Sequence, residues 1–267
     1  MLTKIQIYNL QGKPKGKVTL PHLFETAIRP DVIKRAVLAQ QSHRFQPQGR
    51  DVMAGKRTSA ITKGTGFGLA RLPRVKGSGY SKAGKGAFAP NTVGGRTTHP
   101  PRSEKRIYKM INKKERKLAV CSAIAATADK SLVTSRGHMT DSVPTLPFVI
   151  TDDIQEISKA VEAKAVFEKL GLLPDLERVK NSLKIRAGKG KSRGRRRRHG
   201  VGPLFVIDED KGVRKAMRNF LGVDIVEVNK INPELLAPGT SPGRLTVWAS
   251  SAFKKLDKLF IRGNEFG

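Results

Sequence analysis

Few residues have the type and spacing for chemistry, and most fail on context. Gly79-Tyr-Ser-Lys-Ala-Gly84-Lys85-Gly86 nearly spells the phosphate-binding loop GxxxxGK[ST], in which backbone amides and a lysine hold nucleotide phosphates. Gly86 stands where that loop needs a hydroxyl for magnesium, no strand leads into it, and Pro90 interrupts any following helix. Gly64-Thr-Gly66-Phe-Gly68 misses the GxGxxG spacing of a dinucleotide turn and also follows no strand. His22, His43, His99, His138 and His199 are dispersed, and no pair has helical ligand spacing. Cys121 falls on the apolar face of a helical pattern and reads as a packed small residue, not a nucleophile. Asp152, Asp153, Asp208 and Asp210 follow strand-like runs, where α/β enzymes keep catalytic acids and where helix caps also fall.

The chemistry the sequence does support is neutralisation of phosphate. The 267 residues carry a formal net charge of +30, most of it in two segments. Residues 44–102 hold twelve basic side chains, Arg44, Arg50, Lys56, Arg57, Lys63, Arg71, Arg74, Lys76, Lys82, Lys85, Arg96 and Arg102, against the single acid Asp51. Residues 184–202 add Lys184, Arg186, Lys189, Lys191, Arg193, Arg195, Arg196, Arg197 and Arg198 with no acid. The rest of the chain has an ordinary globular balance. A protein so basic repels itself unless polyanions surround it, which favours nucleic acid as partner.

An anionic membrane is the competing target, but no amphipathic helix or lipidation signal flanks either basic segment, and no apolar run approaches the ~20 residues that span a bilayer. MLTKIQIYNL has no signal-peptide pattern, and one cysteine excludes an intrachain disulfide, so a reducing cytoplasm is the natural compartment. No cofactor, metal or small-molecule substrate is expected.

The first basic segment reads as a loop, with glycines strewn among its cations. So long a loop argues against its assignment unless the segment is functional. Glycine lets a backbone approach a neighbouring surface closely, and Lys and Arg neutralise phosphates. A purely solvating tail would lack Phe45, Phe67, Tyr80 and Phe88 with Leu69, Leu72 and Val75, side chains suited to stacking on unpaired bases or to forming a small cluster within the loop.

The remaining residues must position these segments. KIQIY (4–8) and KVTL (17–20) read as a hairpin, and Pro30 opens a helix with Val32, Ile33, Ala36, Val37 and Gln40 at helical spacing. Pro100-Pro101 closes the loop, and Ser103 is read as capping a helix toward Asp129 through Ile107, Met110, Ile111, Leu118, Cys121, Ile124 and Ala125. LPFVIT (146–151) precedes an Asp-capped helix with Ile154, Ile157, Val161 and Leu170 inward, ending at Gly171. LFVI (204–207) precedes a helix with Val213, Met217, Phe220 and Leu221, ending at Gly222. VDIVEV (223–228) leads to a short turn at Asn232-Pro233, and RLTVW (244–248) to an amphipathic helix ending near Phe260. Apolar strands alternating with capped helices predict one three-layer α/β domain with a mostly parallel sheet. Its body would comprise residues 1–43 and 103–267, with the long loop at 44–102 and a basic loop at 184–202.

KGTGFGLARLPRVKGSGYSKAGKGAFAPNTVGGRTTHPPRSEKRIYKMINKKERKLAVCSAIAATAD, SRGH at 135–138 and LAPGTSPGRLTVWASSAFKKL together resemble the archaeal and eukaryotic branch of the universal L-four family of large-subunit ribosomal proteins. The resemblance runs over essentially the whole chain. It implies an α/β domain on the outside of the large subunit, with the long loop pushed inward through ribosomal RNA (rRNA) to the peptide exit tunnel. It also implies a structural role in binding rRNA and supporting assembly, with the loop ordering on assembly. Lys63, Gly64, Thr65, Gly66, Phe67, Gly68, Leu69, Ala70 and Arg71 match the motif at the loop's inner end, beside the nascent polypeptide and opposite the L-twenty-two family protein. Relatives commonly carry arginine at the position of Phe67, so stacking or a tunnel-wall role is expected there instead of a phosphate contact. The long C-terminal extension of eukaryotic relatives is missing, which points to an archaeal-type protein. The alternatives from other classes are an RNA-modifying or nucleotide-dependent enzyme on a Rossmann-like sheet and a free nucleic-acid-binding regulator.

Overall fold

Alternation of apolar and polar residues in the N-terminal segment produces a hairpin, β1 (Lys4–Tyr8) paired antiparallel with β2 (Pro14–Thr19), as predicted. In this computed structural model, residues 4–260 are described, so the first three residues of the stretch read for a leader lie outside them. Contacts divide the chain into two units, a body of Met1–Gln41 with Lys109–Gly267 and a second unit of Ser42–Tyr108. After the hairpin come α1 (Pro30–Ser42), α2 (Lys113–Ala125), α3 (Lys130–Ser135), β3 (Phe148–Ile150), α4 (Ala160–Lys169) and α5 (Leu173–Asn181). Then follow β4 (Lys184–Ile185), β5 (Arg197–Arg198), β6 (Leu204–Ile207), α6 (Val213–Met217), β7 (Asp224–Glu227), α7 (Pro233–Leu236), β8 (Thr246–Ala249) and α8 (Ser250–Phe260).

Six strands form one sheet in the order β2-β1-β3-β8-β6-β7, parallel at every pairing except β1 with β2. Every residue of β3, β6 and β8 is buried, which is why these strands read as continuous apolar runs without alternation. Register sets Phe148, Val247 and Phe205 abreast on one face and Val149, Trp248 and Val206 on the other. On the first face Phe205 meets Phe167 of α4 at 5.4 Å, and Phe220 closes on Phe167 at 5.0 Å. On the second, Trp248 meets Phe253 of α8 and Phe24, each at 6.1 Å, and Phe24 stacks on Phe253 at 5.4 Å. Helices thus cover both faces of a mostly parallel sheet in a three-layer α/β body. Each such ring pair adds about 0.5–1.5 kcal/mol beyond its burial.

Three expectations need correction. The helix expected from Ser103 begins only at Lys113, so Ile107, Met110 and Ile111 lie outside it, and Met110 is 74% exposed. The helix after β3 is two pieces, a 3₁₀ turn at Asp152–Glu156 and then α4. The interruption at 157–159 resets the phase, and Val161, predicted inward, is 82% exposed. The helix expected to run to Gly222 is only five residues long and stops at Met217, and Leu221 lies exposed beyond it.

Gly171, predicted as a helix stop, has φ +71°, and a Cβ there would lie 2.2 Å from the Ser142 carbonyl oxygen. Gly137 has a comparable left-handed backbone at φ +95° with open space around it. Gly137→Ala should therefore cost only the backbone strain, about 1–2 kcal/mol. Gly171→Ala should cost clearly more, read as a larger fall in urea midpoint at unchanged slope.

Candidate nucleic-acid interface

The acids at the positions α/β enzymes would use already have partners, two across the fold and two in local turns. Asp152 Oδ1 accepts from Ser251 N at 2.9 Å and Ser251 Oγ at 2.7 Å, so it caps α8 from across the fold. Asp153 accepts from Thr151, Asp208 from Lys255 Nζ at 2.7 Å, and Asp210 from the amides of Gly212 and Arg214 at the start of α6. Cys121 is buried, and desolvation pushes its thiol up to about 11, far from a thiolate at neutral pH. Among the described residues no group of three or more His, Cys, Asp or Glu is arranged to hold a metal ion.

The second unit has another character. After Ser42 none of its residues is buried, and the exposed or half-buried run continues into the body as far as Leu118. The loop is nonetheless not featureless. Ile61, Arg74 and Gly86 form successive antiparallel bridges, Val75 N donates to Lys85 O at 3.0 Å, and Ala87 N donates to Pro73 O at 2.8 Å. Arg50 N donates to Pro101 O at 3.1 Å, tying the loop's two ends. The near-match to a phosphate-binding loop lies within this turn structure, with no helix after it.

Four of the predicted cations are partly spent on the loop itself. Arg50 bonds Thr97 Oγ1, Arg74 Nη1 donates to Gly84 O at 2.9 Å, and the Arg96 guanidinium sits 5.5 Å from the Phe88 ring centroid. Arg57 pairs with Asp51, whose carboxyl is held below its ordinary range first by that hydrogen bond. Lys63, Arg71, Lys76, Lys82 and Lys85 have no acidic partner among the described residues, and residues 61–71, which include the expected tip, are all exposed. Phe67 and Tyr80 are 64% and 49% exposed, as surfaces for stacking would be.

The second basic segment forms a short hairpin, β4 with β5, which sets Lys184 opposite Arg198 and Ile185 opposite Arg197. Arg186 N donates to Arg196 O at 2.8 Å and its Nε to Arg195 O at 3.1 Å. Like charges directly opposite each other destabilise a strand pair. This hairpin therefore asks for an external anion.

Two sets of cations escaped the sequence reading. Lys105, Arg106, Lys109, Lys113, Lys114, Arg116 and Lys117 extend the basic stretch past residue 102. The helical spacing of Ile107, Met110 and Ile111 disguised the irregular, largely exposed segment at 103–112, and Lys113 to Lys117 then open α2. The second set is internal to the body. Arg244 is buried and donates to Gly202 O, Leu235 O, Gly222 O and, at 2.7 Å, Asp224 Oδ2. Arg178 binds Asp175 Oδ1 at 2.9 Å and Val201 O at 2.7 Å, and Arg136 binds the carbonyls of Ser241 and Pro238. Burial, then Arg244 and Arg178 nearby, push the Arg136 guanidinium down to about 10. Arg136 and Arg244 lie in the SRGH and PGR motifs, the available signal for this cluster.

An α/β body whose acids are structural, bearing acid-poor basic segments with exposed aromatics, defines a nucleic-acid-binding structural protein. Residues 18–259 match the ribosomal protein L4/L1 family, and the chain belongs to that family. It is 50% identical over 259 residues, 97% of this chain and 98% of the relative, to large ribosomal subunit protein uL4 of Methanosphaera stadtmanae. It is 49% identical over 259 residues, 97% of this chain and 90% of the relative, to uL4 of Pyrobaculum aerophilum. Against uL4 of Methanopyrus kandleri it is 46% identical over 252 residues, 94% of this chain and 97% of the relative. These similarities agree with the archaeal type, and membership answers the enzymatic alternative: the chain is a ribosomal protein, not an enzyme.

Buried beside Arg178, His138 Nδ1 stands 3.1 Å from Asp175 Oδ2, and Met139 N donates to Asp175 Oδ1 at 3.1 Å. Burial holds the imidazole below its ordinary pKa, only partly offset by Asp175. Burial opposes the charge of Asp175 too, yet the bonds from His138 and Arg178 bring its carboxyl below the ordinary range. Both groups bind protons less readily folded than unfolded. Stability should be fully present above the unfolded histidine value, about 6.5, and fall as pH drops through it toward the folded values. Urea midpoints should decline from pH 7.5 to 5, and His138→Gln should flatten the part of that decline near pH 6.

Proposed function

We propose that this chain is a structural constituent of the large ribosomal subunit, in the cytoplasm, that binds large-subunit rRNA, supports subunit assembly and lines the polypeptide exit tunnel with its long loop. The observation that carries this reading is the stretch from His43 to Leu118, where no residue is buried and where, up to Arg102, one acid stands among twelve cations. Such a segment gains nothing from a core of its own. It is suited instead to neutralise phosphates and lay exposed rings on bases.

Lys63, Arg71, Lys76, Lys82 and Lys85 are the cations we assign to rRNA phosphates in the loop, with Lys184, Lys189, Lys191, Arg193 and Arg195–Arg198 in the hairpin. The tip, Lys63 to Arg71, faces the tunnel on this reading, with Phe67 against its wall, the nascent polypeptide passing by and the L-twenty-two family protein opposite. The body anchors both segments by their covalent roots, and neutralisation lets RNA helices approach one another. Each duplex phosphate neutralised should contribute about 0.9 to the slope of log affinity against log salt.

Tagged chain should co-sediment with large subunits after a high-salt wash, and its release there into the soluble fraction would count against the reading. Deleting residues 55–90 should leave the body's urea midpoint nearly unchanged while large subunits assemble defectively. Normal subunits carrying the deleted chain would remove the loop from the proposed role.

A further inference from the structure

At the root of the basic hairpin lies a cavity of about 500 Å³ walled by Ser135, Arg136, Arg178, Gly200 and Val201, with Leu132 and Pro242 as apolar sides. Its two guanidinium groups are fixed from behind. Arg136 spends both Nη atoms on the carbonyls of Ser241 and Pro238. Arg178 spends Nε on Asp175 and Nη2 on Val201 O, and its Nη1 makes no hydrogen bond among the described residues. That Nη1 lies 3.4 Å from where a Cβ on Gly200 would stand, so glycine leaves open the space beside the free donor.

The charges of this neighbourhood do not cancel. Arg136, Arg178 and Arg244 meet only Asp175 and Asp224 as hydrogen-bonded carboxylates, and His138 is held neutral by its burial. One elementary positive charge remains, half-buried, at Arg136, whose hydrogen-bond partners are uncharged carbonyls. A buried cation without a counter-charge is costly, and an anion of one charge would relieve it. Chain continuity brings such an anion within reach. Gly200 and Val201 follow His199 and the strand Arg197–Arg198 directly, so a polyanion lying along the hairpin passes the cavity mouth.

We propose that this cavity is a binding site for one phosphodiester of an RNA strand, held between Arg136 and the free Nη1 of Arg178. The inference rests on the rRNA-binding reading and adds to it a discrete site where the second basic segment, at Gly200 and Val201, meets the body. A phosphodiester carries the single charge the site lacks, and its flanking ribose suits the apolar sides formed by Leu132 and Pro242.

The test supplies the missing charge in cis. Ser135 is exposed at the end of α3 on the cavity wall, and Ser135→Asp sets a carboxylate there. Val161→Asp, at an exposed position of α4 outside the cavity, makes the same change in net charge. Gly200→Ala fills the space beside Arg178 with no charge change. Binding of the full chain to transcribed large-subunit RNA is measured across a series of potassium chloride concentrations, with thermal midpoints in parallel. Relative to V161D, S135D should bind more weakly and lower the log–log salt slope by about 0.7–0.9, one phosphate contact. G200A should lower the slope by the same amount, and it decides the matter if S135D melts below V161D. Equal slopes for V161D and G200A, with S135D matching V161D where it is folded, overturn the phosphodiester site and leave the rRNA-binding reading standing. Absence of salt-dependent binding by the unaltered chain overturns both.

Discussion

Positive charge that the chain cannot neutralise by itself governs this structure. The sequence carries +30, and the places where that charge concentrates contain almost no carboxylate. The one acid of the long loop is spent on Arg57, and the β4–β5 hairpin sets Lys184 directly against Arg198. Screening at physiological salt acts over a Debye length of about 8 Å, which softens distant repulsions more than those between side chains on adjacent strands. The external counter-ion is thus as much a part of this protein's energetics as its core.

The body solves the opposite problem. Four of its acids are turned inward or across the fold: Asp152 onto α8, Asp208 onto Lys255, Asp224 onto Arg244, and Asp175 onto His138, Met139 and Arg178. Arg244 binds backbone or side chain at Gly202, Gly222, Asp224 and Leu235, which joins the entry to β6, the entry to β7 and the end of α7 at a single guanidinium. A buried charge with this many partners offsets its desolvation through hydrogen bonds, and removing one partner would strand the rest. The two aromatic clusters, around Phe167 and around Trp248, hold the helical layers onto opposite faces of the sheet. Folding and neutralisation are assigned to different residues.

The division of labour was legible in the sequence because it is compositional, and the strands because burial on both faces leaves uninterrupted apolar runs such as LFVI and FVI. What misled was phase. Ile107, Met110 and Ile111 keep helical spacing with α2, yet the helix begins only at Lys113: Ile111 packs against the Val32, Ala36 and Ala119 cluster from irregular chain while Met110 is exposed, and local periodicity does not report where the backbone turns helical. Val161 was misplaced because the 3₁₀ turn before α4 advances about 3.0 residues per turn, and the break at 157–159 then discards the register. In α5, Leu176 and Val179 face the core, but a stripe so short, with Pro174 in its first turn, does not stand out as a helix in the sequence. The arginine cluster was illegible for another reason. Arg136, Arg178 and Arg244 are far apart in sequence, and although SRGH and PGR mark two of them, neither motif says that its arginine is buried or that the three meet.

Glycine illustrates how one composition serves two physical ends. Near the loop's base, a Cβ on Gly55 would stand 2.5 Å from the Gly95 carbonyl carbon, and one on Gly95 would stand 1.9 Å from Ala89 O. There the chain approaches itself, and the absent side chain is demanded by contact. In the stretch proposed as the tip, Gly64, Gly66 and Gly68 have φ of +77°, +87° and +63°, and nothing lies within 4 Å of a Cβ on any of them. Their backbone alone accounts for them, because left-handed φ at alternate positions excludes L side chains whatever the space. Thr65 and Phe67 are thereby presented singly, each between two bare residues, on a strand of little more than backbone width. A long loop rich in glycine is accordingly two devices in series, a self-packed base and a thin unpacked end, and only the base takes its shape from contacts with the rest of the loop.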